Sequence, residues 1–157
     1  MVTQAPKSAA RLKAISPQFV VPDVITAAEH YRDVLGFQIL GYFYEPPVYS
    51  IVRRDSVEIH LGKADANADA AAAPNTLHSE DSIDAYIWVD DVDGLFAELK
   101  SRGAKIVEPP SVREYHCREM VVEDKFGFRL ALGMDISQGS QTLESENAPA
   151  HNPNSCS

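Results

Sequence analysis

The fold is decided by two similar stretches, VEIHLG at residues 57–62 and FRLALG at residues 128–133. In each stretch, apolar residues occupy every second position, which is typical of a strand with one buried face. Each follows a turn and stops at a glycine, so we expect two strands that end at Gly62 and Gly133. Their other faces carry Glu58 and His60 in the first copy, and Arg129 and Ala131 in the second.

The repeat extends upstream of both stretches. Residues 15–24 form an apolar stretch that runs into Asp23, and residues 83–92 form its counterpart, which runs into Asp90 and Asp91. An aspartate at this place favours the start of a helix, because its carboxylate accepts hydrogen bonds from the first-turn N–H groups. The two copies therefore predict the same order of elements, a strand followed by a helix.

Each predicted helix ends at a glycine, Gly36 or Gly103, a residue that adopts the left-handed conformation without penalty. Further strands follow at 37–44 and 48–53 in the first copy and at 104–108 in the second. Prolines 46–47 and 109–110 are expected to split neighbouring strands in the same way, because proline favours turns.

The predicted fold class is α+β, with two tandem βαβββ modules that form a concave mixed sheet and helices on its convex face. The predicted boundaries are a disordered leader at 1–13, a first module at 14–63, an exposed and mobile linker at 64–81, a second module at 82–136 and a disordered tail at 137–157. The tail is rich in Ser, Gln, Asn, Glu and Pro, a composition that cannot offset the entropy of ordering.

Composition limits the possible partners. The chain has 157 residues and a formal net charge of −9, which argues against nucleic acid and suits either a cationic small partner or solubility alone. No apolar run is long enough for a membrane span, and the first residues do not form a signal peptide. We therefore expect a cytoplasmic protein, in which Cys117 and Cys156 form neither a disulfide nor a metal pair.

The alternation along the first strand places Ile15, Phe19 and Val21 with the core and Gln18 on the other face. In the second copy, Trp88 lies on that other face. A face that mixes aromatic and charged side chains fits neither plain solvent exposure nor plain core, because buried polar groups need partners. It is typical of a small-molecule pocket. The candidate ligand-binding residues are Gln18, Tyr44, Tyr49, Glu58, His60, Asp84, Tyr86, Trp88 and Arg129, and no catalytic residue is predicted.

Several of these residues also have structural interpretations. His60 is either a ligand contact or a hydrogen-bonded structural histidine. Asp84 either contacts the ligand or pairs with Arg129 or Arg53 across the sheet. Tyr86 and Trp88 suit a pocket wall, a dimer interface or the core. Arg118 and Glu119 are interpreted as pairing residues at a strand edge rather than as catalysts.

Two passages carry a family resemblance: VPD at 21–23 followed by YRDVLGF at 31–37, and YHCREMVVEDKFG at 115–127. In this order, within two similar halves, they resemble the vicinal oxygen chelate superfamily. That superfamily includes glyoxalase I, extradiol dioxygenases and the fosfomycin- and bleomycin-resistance proteins. The resemblance spans about residues 14–134 and implies the paired-module fold.

The resemblance also implies where a divalent cation would be held, on the first and last strands of each module. In this chain, those positions carry Ser16, His60, Asp84 and Ala131. Alanine cannot ligate a metal and serine rarely does, whereas a catalytic site normally needs three protein ligands. We therefore predict no cofactor, with a divalent metal that uses Glu58 as a displaced ligand as the alternative.

The resulting prediction is a metal-free homodimer that resembles the antibiotic-resistance proteins of the bleomycin type and sequesters a cationic or aromatic compound; whether resistance is its role stays open. Tyr86 and Trp88 would stack on the compound, and Asp84 and Glu58 would neutralise it. One alternative is a metal-dependent lyase, isomerase or dioxygenase of the glyoxalase type. The other is a non-catalytic scaffold or regulatory module.

Overall fold

The computed structural model describes residue 3, residues 10–69 and residues 71–138. Most of the predicted leader, and the predicted tail from residue 139 onward, lie outside the described residues. The described chain contains the expected repeat of one strand, one helix and three strands.

The first module consists of β1 (Gln18–Val21), α1 (Val24–Asp33), β2 (Gln38–Phe43), β3 (Tyr49–Arg54) and β4 (Val57–Lys63). The second consists of β5 (Ala85–Trp88), α2 (Val92–Ser101), β6 (Lys105–Val112), β7 (Cys117–Glu123) and β8 (Arg129–Asp135).

Each module forms one four-stranded mixed sheet. The strand orders are β1-β4-β3-β2 and β5-β8-β7-β6, with β1 parallel to β4, β5 parallel to β8, and the other neighbours antiparallel. The predicted α+β class with two tandem βαβββ modules is confirmed.

The helices begin directly after the predicted aspartates, and they end at Asp33 and Ser101, a few residues before the predicted glycines. The carboxylate of Asp23 accepts hydrogen bonds from the first-turn N–H groups of Ile25 and Thr26 at 2.9 and 3.0 Å. Asp91 caps α2 in the same way, through the N–H of Gly94 at 2.9 Å. Beyond the helix ends, Gly36 has a φ of 74°, in the left-handed region that glycine adopts without strain.

The two modules share one hydrophobic core on the helix-covered faces of their sheets. The rings of Phe19 and Phe128, one from each module, stack with centroids 4.4 Å apart and planes 7° apart. The buried Tyr31 hydroxyl of α1 donates to Asp124 of the second module at 2.9 Å. Packing on these faces therefore joins the modules and leaves the opposite faces of both sheets free.

The prediction that Gly62 and Gly133 end their strands is wrong, since β4 continues to Lys63 and β8 to Asp135. Both glycines instead make room for a side chain of the neighbouring parallel strand. A Cβ on Gly62 would lie 2.7 Å from the amide nitrogen of Gln18, and a Cβ on Gly133 would clash with the hydroxyl of Tyr86. The glycines therefore let these two side chains lie flat on the sheet.

The prediction that prolines 109–110 split two strands is also wrong, because β6 runs through both of them to Val112. This strand lies at the edge of its sheet, so one of its sides has no neighbouring strand and a missing N–H there breaks no hydrogen bond. The pairing with β7 shifts register between Glu108 and Ser111, which accommodates the two prolines.

Two other regions differ from the simple alternation. Ile15 was assigned to the core face, but its side chain is fully exposed because β1 begins only at Gln18. Within the predicted linker, a short 3₁₀ helix spans Asn75–Leu77, and Pro74 before it is buried. The mobility of the linker stays a prediction.

No helix among the described residues is long and apolar enough to cross a membrane.

Candidate functional site

Each sheet has a helix-covered face and a face on the other side, which we call the open face. The register of β1 shows the division, since Phe19 and Val21 are buried under α1 whereas Gln18 and Val20 are exposed. The first open face carries Gln18, Val20, Tyr49, Glu58 and His60. The second carries Tyr86, Trp88, Glu119, Arg129 and Ala131.

His60 is at the centre of the first open face. Gln18 of β1 and Ile51 of β3 are its neighbours in the sheet register. The hydroxyl of Tyr49 lies 2.6 Å from Nδ1 of His60, and the two rings meet edge to face. The imidazole is therefore held in a fixed orientation while its Nε2 remains directed away from Tyr49.

Glu58 lies beside His60, with Oε2 at 3.7 Å from Nε2 of the imidazole. Its other oxygen accepts hydrogen bonds from Nε and a terminal nitrogen of Arg53. These bonds lower the pKa of the Glu58 carboxyl. The carboxylate is thus ionised and already paired with a cation of the chain.

The second open face is dominated by two aromatic rings. Tyr86 and Trp88 lie with ring centroids 4.9 Å apart and planes tilted by 56°. Trp88 has a relative exposure of 64%, an unusual amount for this residue type in a protein of this size. An exposed tryptophan supported by a second ring is suited to stack on a planar guest.

Glu119 fixes the position of this aromatic pair. Its carboxylate is 5% exposed and accepts hydrogen bonds from the Tyr86 hydroxyl at 2.8 Å, the Tyr115 hydroxyl at 2.6 Å and Nε of Arg113 at 2.8 Å. Burial alone would raise the pKa of Glu119, but the three donors outweigh it and lower that pKa. Burial and the neighbouring Glu119 raise the pKa of Tyr86.

Glu119 does pair with a charged side chain, Arg113, but its predicted place at a strand edge is wrong, because β7 lies between β6 and β8 and the side chain is buried. Arg118 does form an ion pair, with Asp93 at the start of α2. A usable signal was present in the sequence, since Glu119 alternates with the core residues Met120 and Val122 and so faces the same side as Tyr86.

Asp84 is fully engaged by the backbone. One carboxylate oxygen accepts from the N–H of Asn75 and the other from the N–H of Arg129, both at 2.8 Å. The guanidinium of Arg129 instead donates to Glu123 and to the carbonyl of Glu80. Asp84 therefore ties the linker to the start of β8, and its predicted ligand contact stays a prediction.

Tyr44 lies at the edge of the first open face, in the turn between β2 and β3, with its side chain 78% exposed. Together with Phe43, Tyr49 and Ile51 it borders a shallow pocket of about 420 Å³. Tyr49 belongs to both this pocket and the His60 cluster, so the pocket extends the first open face.

The predicted site residues thus fall into two groups. Gln18, Tyr49, Glu58 and His60 lie together on the first open face, and Tyr86 and Trp88 lie together on the second. In the described part of the chain, no hydrogen bond or ring contact links the two groups. Within one chain, these groups are separate.

The donor set does not fit a catalytic metal. Of the four positions that the family resemblance implies, Ala131 has no donor atom and Asp84 has both oxygens bonded to backbone N–H groups. His60 supplies one nitrogen, since Tyr49 occupies the other. Among residues 3, 10–69 and 71–138, no three His, Cys, Asp or Glu side chains are grouped so as to hold a metal ion.

The fold and the two open faces define a class, that of paired βαβββ modules with a potential ligand face on each sheet. Residues 13–132 match the family model of the Glyoxalase/Bleomycin resistance protein/Dioxygenase superfamily. The chain belongs to this superfamily, and the resemblance inferred from the sequence is confirmed.

Solved structures agree with this fold. UcmS2 is 21% identical with a TM-score of 0.62, covering 79% of this chain and 98% of its own. TioX from Micromonospora sp. ML1 is 18% identical with a TM-score of 0.57, covering 78% of this chain and 95% of its own. A glyoxalase-related enzyme from Clostridium phytofermentans is 14% identical with a TM-score of 0.65, covering 83% and 100%. At these identities the likeness concerns the fold alone. A search of curated proteins finds no match.

Proposed function

We propose that this chain is a metal-independent binding protein for a small planar aromatic compound and that it acts as a symmetric homodimer. The observation that carries the proposal is the Tyr86–Trp88 pair, in which an exposed indole is supported by a buried hydrogen-bond network. Trp88 is 64% exposed, so most of the free energy that its burial would contribute is gained only when a guest or a second chain covers it.

The Tyr86 part of the aromatic wall is held in place by contacts within the chain. The Tyr86 hydroxyl donates to Glu119, and the Tyr86 ring lies against Gly133. Trp88 is the next residue on the same face of β5 and contacts the Tyr86 ring. A preformed wall loses little side-chain entropy on binding, which favours affinity.

The first open face supplies the polar wall. The Tyr49–His60 pair and the amide of Gln18 present hydrogen-bonding groups close to each other on adjacent strands. Pockets that combine apolar walls with a few placed polar groups are typical of small-molecule sites. One wall recognises the plane of the guest and the other its polar edge.

The carboxylates of the open faces favour an aromatic guest over a purely cationic one. Glu58 is paired with Arg53, and Asp84 is bonded to two backbone N–H groups. Glu119 and Glu123 are likewise paired, with Arg113 and Lys105 respectively. A cation would therefore gain mainly from the aromatic faces, by cation–π attraction, rather than from a free carboxylate.

The dimer follows from what a single chain leaves uncovered. On the first open face, Val20 and Phe43 are each about 40% exposed, and on the second Trp88 is 64% exposed. A two-fold axis can bring the first open face of each chain against the second open face of its partner, which covers these side chains in both chains. This arrangement would also bring the predicted site residues of the two open faces together, so that the dimer contains two complete pockets. A monomer mass by light scattering at micromolar concentration would contradict this arrangement.

The experiment uses the single tryptophan of the chain as its own reporter. Acridine and naphthol are titrated against the purified protein, with tetraethylammonium as a cation that has no ring. We expect saturable quenching of Trp88 emission by the two aromatics, none by tetraethylammonium, and no change with EDTA.

Variants are then compared by calorimetry with the tightest of these probes. Trp88→Ala should weaken binding by roughly 2 kcal/mol or more, as for a buried aromatic anchor. His60→Ala should cost about 1 kcal/mol, the value of one hydrogen bond. Leu77→Ala, at a residue of similar exposure on the 3₁₀ helix, is the matched control and should change nothing.

Three outcomes would contradict the proposal. The first is the absence of saturable quenching by either aromatic. The second is unchanged affinity in Trp88→Ala. The third is a transition metal that co-purifies at about one per chain and is lost in His60→Ala, which would restore the metal-dependent alternative.

A further inference from the structure

A second cavity lies between the two modules, on the helix-covered side of the sheets. Its volume is about 490 Å³, within the range of small-molecule sites. The first module contributes Phe37 and Val57 to its wall, and the second contributes Leu95, Leu99 and Leu130. Three of these side chains, Phe37, Leu99 and Leu130, are also part of the shared core. The cavity is therefore an apolar extension of the core toward solvent.

This cavity is separate from the open faces. Leu130 and Leu132 of β8 border it, whereas Arg129 and Ala131, which alternate with them, lie on the open face. Of the site residues predicted from the sequence, Trp88 alone is also at its border. A guest in the cavity would lie on the opposite side of the β8 strand from Ala131 and Gly133.

The mouth of the cavity is acidic. Asp55, in the turn between β3 and β4, and Asp90, before α2, both border it, and neither has an ion-pair partner within the described residues. The other charges at the border are satisfied, since Arg54 is bonded to Glu98 and Asp91 caps α2. Two unpaired carboxylates above an apolar cavity favour a guest with a cationic end.

We propose that this inter-module cavity is a second small-molecule site, which takes an apolar amine with its hydrocarbon body against Phe37, Leu99 and Leu130 and its ammonium group at Asp55 and Asp90. An aromatic ring with a short alkyl chain matches the volume and leaves the charged end at the mouth. The site differs from the one proposed on the open faces, because its walls come from the opposite side of both sheets, with Trp88 as the one predicted site residue at its border.

The test uses phenylbutylamine and two matched probes on the full chain. Phenylbutyrate has the same body with the opposite charge, and butylamine has the charge without the ring. We expect saturable binding of phenylbutylamine by calorimetry, and binding of the other two that is weaker by about tenfold or more, which corresponds to about 1.4 kcal/mol. Added salt should weaken the amine, since the carboxylates at the mouth are exposed.

Two variants locate the binding. Leu95→Phe fills the cavity from α2 and should weaken the amine by about tenfold or more, with Val112→Phe on the exposed edge of β6 as its control. Asp90→Asn should weaken it by about threefold or more, with the exposed Asp65→Asn as its control. Thermal melts of each variant establish that it is folded.

Methyl NMR of the unmodified protein gives an answer that does not depend on any variant. Phenylbutylamine should shift the methyl signals of Leu99 and Leu130 and leave Val20, on the first open face, unchanged. The proposal is overturned if the shifts occur at Val20 instead or if phenylbutyrate binds as well as the amine. Absence of binding at millimolar amine, or unchanged affinity in Leu95→Phe, overturns it equally.

Discussion

Replacing Tyr31 by phenylalanine tests whether the contact between the modules depends on a buried charged hydrogen bond. Tyr31 is completely buried, and its hydroxyl donates to one oxygen of Asp124 at 2.9 Å. The other oxygen of Asp124 accepts from the N–H groups of Phe126 and Phe128 at 2.8 and 3.0 Å. Without the hydroxyl, the first oxygen is left buried with no hydrogen-bond donor.

The expected cost follows from the charge and burial of Asp124. A hydrogen bond to a charged group contributes about 1.5–3 kcal/mol, and an unsatisfied buried acceptor costs a similar amount. We therefore expect Tyr31→Phe to lower the free energy of unfolding by about 2 kcal/mol at neutral pH. For a chain of this length, each kcal/mol lowers Tm by roughly 2–4 °C, so the expected fall is about 4–8 °C.

The pH dependence has a definite sign. Burial raises the pKa of Asp124 above its usual value, so the stability that this group contributes is fully present below the unfolded-state pKa and is lost as pH rises through the folded-state pKa. Removing the Tyr31 donor raises the folded-state pKa further, so the loss becomes larger. The difference between wild type and Tyr31→Phe should therefore be about 1 kcal/mol near pH 4 and about 2 kcal/mol near pH 7.

Urea unfolding at the two pH values measures this difference, with Tyr42→Phe as the control because the Tyr42 side chain is partly exposed and lies outside the shared core. In an Asp124→Asn background, Tyr31→Phe should cost only about 1 kcal/mol, the value of a neutral hydrogen bond. The reasoning is refuted if Tyr31→Phe costs less than about 0.5 kcal/mol, or costs the same in both backgrounds.

Two further predictions concern close packing and pH. Gly133→Ala places a Cβ against the Tyr86 hydroxyl, so it should lower stability by about 1–3 kcal/mol in a thermal melt and displace the Tyr86 ring. In the control Gly62→Ala, the close contact of the new Cβ is with the flexible amide of Gln18, so the loss of stability should be smaller. Equal losses in the two variants would contradict the argument. Burial, together with the nearby Lys125, lowers the pKa of His30. The free energy of unfolding should therefore fall as pH drops below about 6.5, and His30→Phe should remove this pH dependence in urea titrations. An unchanged pH dependence in His30→Phe would contradict the role of His30.

The sequence was sufficient to predict the fold, because its signals are local and occur twice. Alternation at 57–62 and 128–133, an aspartate before each helix and a glycine after it are each properties of adjacent residues. Asp23 and Gly36 have the predicted roles because capping and left-handed turns depend on the backbone nearby. The strand ends were predicted less well, because Gly62 and Gly133 serve a neighbouring strand rather than their own.

The candidate site was predicted only in part, because its contacts join residues that are distant in sequence. The alternation of residues along each strand placed His60 and Tyr86 on the correct faces. It could not show that Asp84 accepts a hydrogen bond from the N–H of Asn75 in the linker. Glu119 was missed because its donors, Arg113 and Tyr115, come from the connection between β6 and β7, and no periodicity predicts where such a connection lies.

The two modules have kept one face of their sheets alike and made the other face different. On the helix-covered side, Leu61 and Leu132 both pack into the shared core, where volume and apolarity are constrained by close packing. On the open side, the matching positions carry His60 and Ala131, and Gln18 and Tyr86, which share no chemistry. A side chain that contacts no core is free to be selected by whatever covers it. If both open faces enclose the same guest, that guest meets polar donors and acceptors on one wall and aromatic rings on the other. A planar molecule with one polar edge satisfies both walls, whereas a compact cation with no ring satisfies neither.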